Sequence, residues 1–459
     1  MIINYTIKPE DLKIKLNRFW ELSGEKIELI EKEYDQKLGA PVFTVKGKYS
    51  TRGWTEWTQG FQYGSAILQF DATGDESFLQ LGRENTVKKM ASHVSHIGVH
   101  DHGFNNVSTF GNLHRLMKEG KIQQNDWEQN FYELALKASG AVQASRWSKI
   151  NVGGFIYSFN GPHSLFVDTI RSCRVLMLAY KLGHFLPAEN DSRISLFNRG
   201  IEHLLATANY SVYYGEGRDS YDVWGRTAHE SIFNPNDGNY RCPNSQQGYT
   251  GFSTWTRGLA WAMLGFAEEL EFLHELPVTE FDEIGDKDQI IGLLLKGAEA
   301  TCDFYIDHTP IDGIPYWDTG APGLVKMKDY LNKPADPFNQ FEPVDSSAAA
   351  IASQGLFRLG YFLISNDRVD EGIRYFQAGT TVLSRLLETP YLSIDSNHQG
   401  LLLHSVYHRP NGWDHIPEGA KVPCNESSMW GDYHLRESAL YLSRFISGEQ
   451  YYTFFNGVL

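Results

Sequence analysis

The sequence predicts an all-α protein whose helices form a closed ring of hairpins. Apolar residues recur at helical spacing, strand-like alternation is scarce, and loops rich in Gly, Pro, Asn and Asp separate the helical segments. Alternating short and long connections without a detectable sequence repeat favour a toroid over a solenoid. Twelve helical segments are expected, at residues 9–34, 57–74, 77–97, 107–119, 124–139, 163–183, 192–208, 252–274, 286–306, 345–363, 368–387 and 431–446.

Two helix starts can be placed from their capping residues. Asp345 precedes SSAAAIASQGLFRLG, which predicts an N-cap followed by strong helix formers. Ser253 or Thr254 would cap the helix that begins near Trp255. Arg257 and Trp261 are four residues apart and therefore share one face of that helix.

Composition indicates an ordinary soluble protein with a surplus of aromatic residues. Hydrophobic residues make up 42% of the chain, charged residues 21% and aromatic residues 14%. Such a surplus is typical of sugar-binding sites, although a large core would also use it. The formal net charge of −15, without any run of Lys or Arg, argues against a nucleic-acid partner. An anionic substrate would therefore need local positive charge.

Neither a membrane partner nor a metal site is predicted. No stretch reaches the uninterrupted apolar length of a membrane span, and the N-terminus interleaves charged with apolar residues, so we expect a cytoplasmic protein. The 4 cysteines lack CxxC spacing, and we expect no metal and no cofactor. We expect a single catalytic domain over residues 1–459, with a short N-terminal helical extension at about 1–48; homo-oligomerisation stays open.

Two acidic residues are candidates for chemistry. Asp168 lies in the apolar stretch LFVDTIRSC, where an unpaired carboxylate would be costly, so either a function or a helix cap would explain it. Asp101 lies between His100 and His102 and is followed by Gly103, which is equally consistent with a loop turn or a weak metal site. No further ligands are spaced for a metal.

A series of motifs extends along most of the chain. They are WTQGFQYG from Trp57, HDHGF from His100, SLFVDTIRS around Asp168, HESIFNP from His229, QGYTGFSTWTRGLAW from Gln247, DGIPYWD from Asp312, DSSAAAIA from Asp345, and GLLLHS with WGDYHLRESAL near the end. In this order and spacing, from about residue 50 to 445, the chain resembles the unsaturated glucuronyl hydrolases, a type of glycoside hydrolase. The resemblance implies an (α/α)6 toroid of six helical hairpins.

The resemblance also implies cleavage by hydration. Polysaccharide lyases leave a terminal uronate with a double bond between C4 and C5; protonation at C4 creates an oxocarbenium-like centre at C5, water adds there, and the hemiketal opens and releases the next sugar. By motif position, Asp168 is the general acid/base and Asp101 the second carboxylate, which holds the ring hydroxyls and the acid. We expect burial and Asp101 to raise the pKa of Asp168.

Other positions of the motifs imply contacts to the sugar of an unsaturated oligosaccharide substrate. Arg257 would pair with the uronate carboxylate, and the tryptophans would stack on sugar rings, with core packing as the alternative for Trp255 and Trp261. In the loop before Trp430, Lys421, Ser427 and Ser428 are candidates for binding the next sugar, against the alternatives of an exposed lysine and an N-cap pair. The full predicted set of sugar-binding residues is Trp57, His229, Gln247, Trp255, Arg257, Trp261, Ser427 and Ser428.

Three other functions stay open. An unsaturated rhamnogalacturonyl or ulvan-type uronyl hydrolase would use the same chemistry on another polymer. A sugar epimerase on a similar toroid is disfavoured because the histidines form no obvious pair of bases. A non-catalytic oligosaccharide-binding protein would have no need for two carboxylates at the hydrolase positions. Loss of the ultraviolet absorbance of the conjugated double bond distinguishes hydrolysis from isomerisation and from binding.

Overall fold

The computed structural model describes residues 1–53 and 56–458. Most of the predicted helices begin and end within a few residues of their expected bounds. The α-helices of the described residues are α1 Lys13–Glu33, α2 Gln59–Thr73, α3 Glu76–Lys89, α4 Ala91–Val94, α5 His102–Asn106, α6 Asn112–Lys118, α7 Asp126–Ser145, α8 Thr169–Ser172, α9 Arg174–Lys181, α10 Leu196–Ala206, α11 Thr256–Glu275, α12 Lys287–His308, α13 Ser346–Ser365, α14 Val369–Leu386 and α15 Met429–Ser447. A helical turn over 107–111 joins α5 to α6, and Cys173 alone separates α8 from α9.

Short antiparallel strands occupy the loops. The strands are β1 Phe43–Val45, β2 Lys48–Ser50, β3 Trp147–Lys149, β4 Gly154–Ile156, β5 Ser164–Phe166, β6 Leu186–Pro187, β7 Arg193–Ile194, β8 Glu230–Phe233 and β9 Tyr240–Asn244. The prediction of a helix over 163–183 is wrong in its first turn, because Leu165 pairs with Ser231 in the β5–β8–β9 sheet. Pairing with a distant strand overrides the local apolar pattern there.

Six helical units form an inner ring. These units are α2, α5–α6, α8–α9, α11, α13 and α15; each packs against the next, and α15 packs back against α2 and closes the ring. The inner helices α11 and α13 are buried along almost their whole length, because neighbouring inner helices and an outer layer cover them from all sides. The predicted all-α toroid of six hairpins is confirmed.

The outer layer consists of α1, α3, α7, α10, α12 and α14, each next to an inner helix in the chain. An outer helix such as α14 buries one face and leaves the other in solvent, as its amphipathic sequence predicts. Helix α1 packs against α2 and α15, so the N-terminal segment forms part of the ring wall. Across the described residues, the helices lack the length and apolar content that crossing a bilayer requires.

The N-terminal ends of the inner helices meet at one end of the ring. Trp57, Asp101, Asp168 and Trp255 lie just before α2, α5, α8 and α11, and all four side chains line one cavity. Four inner helices therefore each place one residue from their N-terminal end in this cavity.

Candidate active site

A cavity of about 350 Å³ opens at this end of the ring. Ligand-binding pockets commonly enclose roughly 300–1,000 Å³. Of the predicted site residues, Trp57, Asp101, Asp168, Gln247, Trp255, Arg257 and Trp261 line it, together with Arg52, Gly53, Glu56, His96, Val99, His100 and Phe159. The structure thus brings together residues that the sequence separates by up to two hundred positions.

The two candidate carboxylates occupy equivalent positions on neighbouring helices. Asp101 is the N-cap residue of α5 and Asp168 that of α8, yet neither side chain makes a capping hydrogen bond. Each residue is 8% exposed, and Oδ1 of Asp168 has no hydrogen-bond partner among the described residues. The helix-cap alternative for Asp168 is therefore wrong, and its carboxylate is free to act in the cavity.

The start of α5 is held against α8 by the Ser172 hydroxyl and by a close backbone approach at Gly103. The Gly103 amide donates to Oγ of Ser172 over 2.8 Å, and that hydroxyl donates to the His100 carbonyl over 2.7 Å. A Cβ atom on Gly103 would lie 2.1 Å from the Ser172 carbonyl oxygen, so only glycine fits. The glycine of HDHGF and the final serine of SLFVDTIRS therefore fix the distance between the two aspartates.

His100 lies between the two carboxylates. Its Nε2 atom is 3.8 Å from Oδ1 of Asp101 and 3.7 Å from Oδ1 of Asp168. Burial raises the pKa of Asp101 above its usual range, and the charge of Asp168 adds to this shift. Burial acts in the same direction on Asp168, but His100 and then His229 outweigh it and hold the pKa of Asp168 below its usual value. The prediction of a raised pKa for Asp168 is wrong; in the free protein Asp101 holds a proton more readily.

His229 lies behind the cavity wall, between Phe166 and Trp255. Its Nδ1 accepts hydrogen bonds from the backbone amides of Gln246 and Gln247, at 3.0 and 3.3 Å. Accepting those bonds requires a lone pair on Nδ1, so the proton of the neutral ring is on Nε2. Burial lowers the pKa of His229 to about 4, so it is a neutral hydrogen-bond donor at physiological pH.

Arg257 is held by the protein itself. Its guanidinium donates to Oδ2 of Asp345 over 3.1 Å, to Oε1 of Gln247 over 3.0 Å and to the carbonyls of Val406 and Tyr407. Its charge is therefore largely balanced by Asp345. In this position Arg257 orients the Gln247 amide and leaves the NH2 group of that amide for a ligand; direct pairing with a uronate stays a prediction.

The tryptophans differ in how much surface they offer to a sugar. Trp57 is half-buried and stacks on Trp430, with ring centroids 5.2 Å apart. Trp255 and Trp261 are only 2% and 1% exposed, and Trp261 packs between Phe104 and other inner-ring side chains. The guanidinium of Arg257 lies between Trp255 and Trp430, not between Trp255 and Trp261 as the helix spacing suggests. Core packing thus accounts for most of the Trp255 and Trp261 rings.

The predicted contribution of Ser427 and Ser428 to substrate binding is not supported. Neither residue lines the cavity. The Ser427 hydroxyl donates to the Leu402 carbonyl over 2.7 Å, and the Ser428 hydroxyl caps α15 by accepting from the Gly431 amide over 3.1 Å. Both residues are fully buried; the N-cap alternative is confirmed for Ser428, whereas Ser427 caps no helix. Lys421 is exposed in the loop and does not line the cavity either.

Sequence reasoning missed several residues of the cavity. Glu56 directly precedes the WTQGF motif, and burial raises the pKa of its carboxyl, with the charge of Asp101 as a further cause. Arg52 lies at the mouth, stacked on Trp413 at 4.4 Å from the ring centroid. His96 precedes His100 by four residues in the loop between α4 and α5. This repeated histidine is the sequence feature that could have identified His96 as a cavity residue.

Charges of both signs face the cavity. The N-terminal end of an α-helix carries a partial positive charge, and the cavity lies at the starts of α2 and α11. Arg52 adds an exposed cation, while Glu56, Asp101 and Asp168 add carboxyl groups. The helix starts and Arg52 are therefore the parts of the cavity that suit an anionic group of a ligand. Within residues 1–53 and 56–458 no cluster of His, Cys, Asp or Glu has the arrangement of a metal site.

Comparisons with known proteins agree with the motif resemblance. No family model matches the chain. It is 27% identical over 413 residues to the unsaturated glucuronyl hydrolase of Bacillus sp. (strain GL1), which covers 88% of this chain and 90% of the relative. It is 25% identical over 407 residues to the unsaturated chondroitin disaccharide hydrolase of Streptococcus agalactiae serotype III (strain NEM316), with 86% and 84% covered.

A solved structure agrees on the fold. The crystal structure of the unsaturated glucuronyl hydrolase from Bacillus sp. GL1 superimposes with a TM-score of 0.68 at 22% identity, covering 94% of this chain and 99% of that one. The sequence relatives confirm the resemblance to unsaturated glucuronyl hydrolases that the order of the motifs predicts, and the solved structure confirms the fold.

Proposed function

We propose that this chain is a glycoside hydrolase that removes the terminal 4,5-unsaturated uronate from lyase-generated oligosaccharides. One observation carries the proposal: two buried carboxylates, neither used as a helix cap, lie on either side of one imidazole in a ligand-sized cavity. The relatives with the same fold are named for this activity.

In this mechanism Asp168 donates a proton to C4 of the bound uronate. Positive charge then develops at C5 and on the ring oxygen, and water adds to C5 while the Asp168 carboxylate takes up its proton. The hemiketal opens and releases the sugar attached at C1, and Asp168 is again protonated. The free Oδ1 atom of Asp168 in the cavity supports this role.

Asp101 has a different role in the proposal. Asp101 contacts a ring hydroxyl and need not exchange a proton during turnover; burial raises its pKa, whereas that of Asp168 is lowered. The NH2 group of Gln247, which lines the cavity, is a neutral hydrogen-bond donor for a hydroxyl-rich ring.

The uronate carboxylate would lie toward the helix starts and Arg52. A monoanion gains from the partial positive charge of the helix N-termini without needing a dedicated ion pair. Trp57 and Phe159, which is 49% exposed, offer ring faces to the sugars. We also propose that the oligosaccharide derives from a glycosaminoglycan, which is supported by the relative named as a chondroitin disaccharide hydrolase. Cytoplasmic location stays a prediction.

The test is an absorbance assay on lyase products. Unsaturated disaccharides from hyaluronan, chondroitin, heparin, ulvan and pectin are each incubated with the protein, and loss of the near-ultraviolet chromophore is followed. We expect loss with at least one glycosaminoglycan product and release of its second sugar. Retention of the chromophore with every product, despite measurable binding, would leave an oligosaccharide-binding protein, and an isomer with the double bond intact would indicate an epimerase.

A further inference from the structure

His100 is a buried histidine whose two ring nitrogens have no hydrogen-bond partner. The residue is 1% exposed, and neither Nδ1 nor Nε2 has a partner among the described residues. Buried imidazoles normally satisfy at least one nitrogen, because an unpaired buried polar group lowers the stability of the fold. The adjacent His102 shows the usual arrangement, with Nδ1 at 2.9 Å from Oγ of Ser139 and Nε2 at 3.0 Å from the His96 carbonyl.

The surroundings of His100 aim one nitrogen at both catalytic carboxylates. Phe159 stacks on the ring at 5.9 Å between centroids, and Phe166 meets it edge-on at 5.6 Å. These rings fix the plane of the imidazole, and Nε2 is 3.8 Å from Asp101 and 3.7 Å from Asp168. Both distances are longer than a hydrogen bond, so a small movement toward either aspartate would make one.

The other charged and titratable groups near His100 are engaged elsewhere. The guanidinium of Arg146 donates to the carbonyls of Ile97, Tyr157 and Ser158. His203 is neutral, because burial lowers its pKa to about 3 and its Nδ1 accepts from the Ile156 amide. His229 is neutral for the same reasons, and His96 and Glu56 line the cavity. Among the described residues, the carboxylates within 4 Å of the His100 ring are those of Asp101 and Asp168, so these are the acids to which His100 can pass a proton.

We infer that His100 is a positioning residue that stores the working proton of the aspartate pair and transfers it to Asp168 when the substrate binds. In the free protein the proton is on Nε2, and Asp168 is ionised beside it. When the anionic uronate enters, the Nε2–H bond breaks and an O–H bond forms on Asp168, with no change in the number of electrons or protons. The inference rests on the proposed hydrolase mechanism and explains how an acid that is ionised in the free protein becomes competent.

The direction in which the pH profile of kcat/KM shifts depends on the proton that His100 and Asp168 share. The forms His100-H⁺/Asp168⁻ and His100/Asp168-H contain the same proton, so the histidine and the aspartate together retain it to a higher pH than Asp168 alone. The carboxylates raise the pKa of His100 above its usual value against the effect of burial. When a neutral side chain replaces His100, the carboxyl of Asp168 alone must hold the proton. The alkaline limb of kcat/KM must then move to lower pH.

The experiment compares His100→Gln with His102→Gln across pH. Glutamine keeps an amide donor in either position but cannot store the proton. We expect the alkaline limb of the His100→Gln profile to move to lower pH by about one unit or more, since histidine and carboxyl pKa values differ by about two units. His102→Gln removes an equally buried ring that contacts neither carboxylate, and its limb should stay in place. A loss of activity in His100→Gln without a shift of the limb would reduce His100 to a structural role and overturn the inference.

A second measurement tests the proton without relying on turnover. Protein labelled in its histidine rings is titrated by NMR, with the His100 signal assigned by its absence from His100→Gln. We expect His100 to titrate above the value of a free imidazole in the intact protein and at lower pH in Asp168→Asn. A neutral His100 throughout the physiological range would overturn the inference even if hydrolysis is observed. Hydrolysis of no lyase product, with a raised His100 pKa, would instead refute the proposed function alone.

Discussion

The inner ring contains two groups of buried charged residues that are built in opposite ways. Around the candidate active site, His100, Asp168 and His229 each have a buried nitrogen or oxygen without a partner among the described residues. Deeper in the ring, Arg171 of α8 donates to Glu268 of α11 over 3.0 and 3.1 Å. The same guanidinium donates to Glu437 of α15 over 2.5 Å, and Arg358 of α13 donates to Glu271 over 2.6 Å.

The difference shows which part of the ring is arranged for chemistry and which for stability. Removing one partner of a buried ion pair lowers stability strongly, because the remaining charge is left without compensation. The ion pairs of the interior cluster therefore stabilise the contacts among four inner helices. An unpaired buried group lowers stability, and it persists where a ligand is to supply the missing partner. Asp168 and Arg171 are only three residues apart, so a single helical turn separates the two arrangements. Variants at the active site should therefore change activity, whereas variants in the interior cluster should change the free energy of unfolding.

The largest effect is expected for Asp168→Asn. Asparagine keeps the shape but cannot give a proton to C4, so turnover should fall by roughly 10²–10⁴-fold. Because Asp168 makes no capping bond, the free energy of unfolding should change by no more than about 1 kcal/mol. Chromophore assays and denaturant unfolding measure the two quantities. Asp75→Asn, at the exposed N-cap of α3, is the matched control and should turn over normally; near-normal activity of Asp168→Asn would refute the assignment.

In the interior cluster, Glu268→Gln should instead destabilise the ring. Burial raises the pKa of Glu268, but Arg171 and Arg174 outweigh burial and hold that pKa below its usual range. Loss of the charge should cost about 3–5 kcal/mol of unfolding free energy. The stabilisation is complete above the pKa of an unfolded glutamate, about 4.3, and is lost as the pH falls through the lower folded pKa. The difference between wild type and variant should therefore shrink in acid.

The control for that variant is Glu275→Gln at the exposed end of the same helix, α11. We expect a change within about 0.5 kcal/mol there. Equal effects at both positions, or a Glu268→Gln protein as stable as wild type at neutral pH, would contradict a stabilising role for the interior cluster.

Gly103→Ala should affect both stability and activity, because Gly103 joins the two catalytic helix starts. Its new methyl group would lie 2.1 Å from the Ser172 carbonyl and push α5 from α8, at a cost of about 1–3 kcal/mol. We expect kcat to fall together with the melting temperature. Gly292→Ala in α12, where the added methyl meets no atom within 4 Å, should be neutral or slightly stabilising. An active and fully stable Gly103→Ala protein would show that the spacing of the aspartates is not critical.

The smallest effect is expected for Ser428→Ala. Loss of the cap on α15 should cost about 0.5–2 kcal/mol, with KM for the disaccharide unchanged. Ser195→Ala removes the equivalent cap of α10 and should behave alike. A raised KM in Ser428→Ala, with stability preserved, would restore the hypothesis that this serine binds the second sugar.

The sequence predicts the site as far as residue types and the order of the motifs determine it. Trp57, Asp101, Asp168, Gln247 and Arg257, which the motifs single out, all line one cavity, because residues at the N-terminal ends of inner helices and in the loops before them meet at one end of a closed ring. Their catalytic and sugar-binding roles stay predictions. The partner of Ser427 was not predictable, because its hydroxyl donates to the carbonyl of Leu402, which is distant in sequence. The cap that Ser428 provides to the Gly431 amide was one of the alternatives that its position allows.

The sequence alone determined the helices, their order and the residue types available for catalysis, because apolar spacing, capping residues and motif order are local properties of the chain. The tertiary structure decided the charge states. Whether Asp101 or Asp168 holds a proton depends on burial and on an imidazole within 4 Å of both. Electrostatic interactions act across space through a medium of low polarity, so they become defined only when the ring has closed.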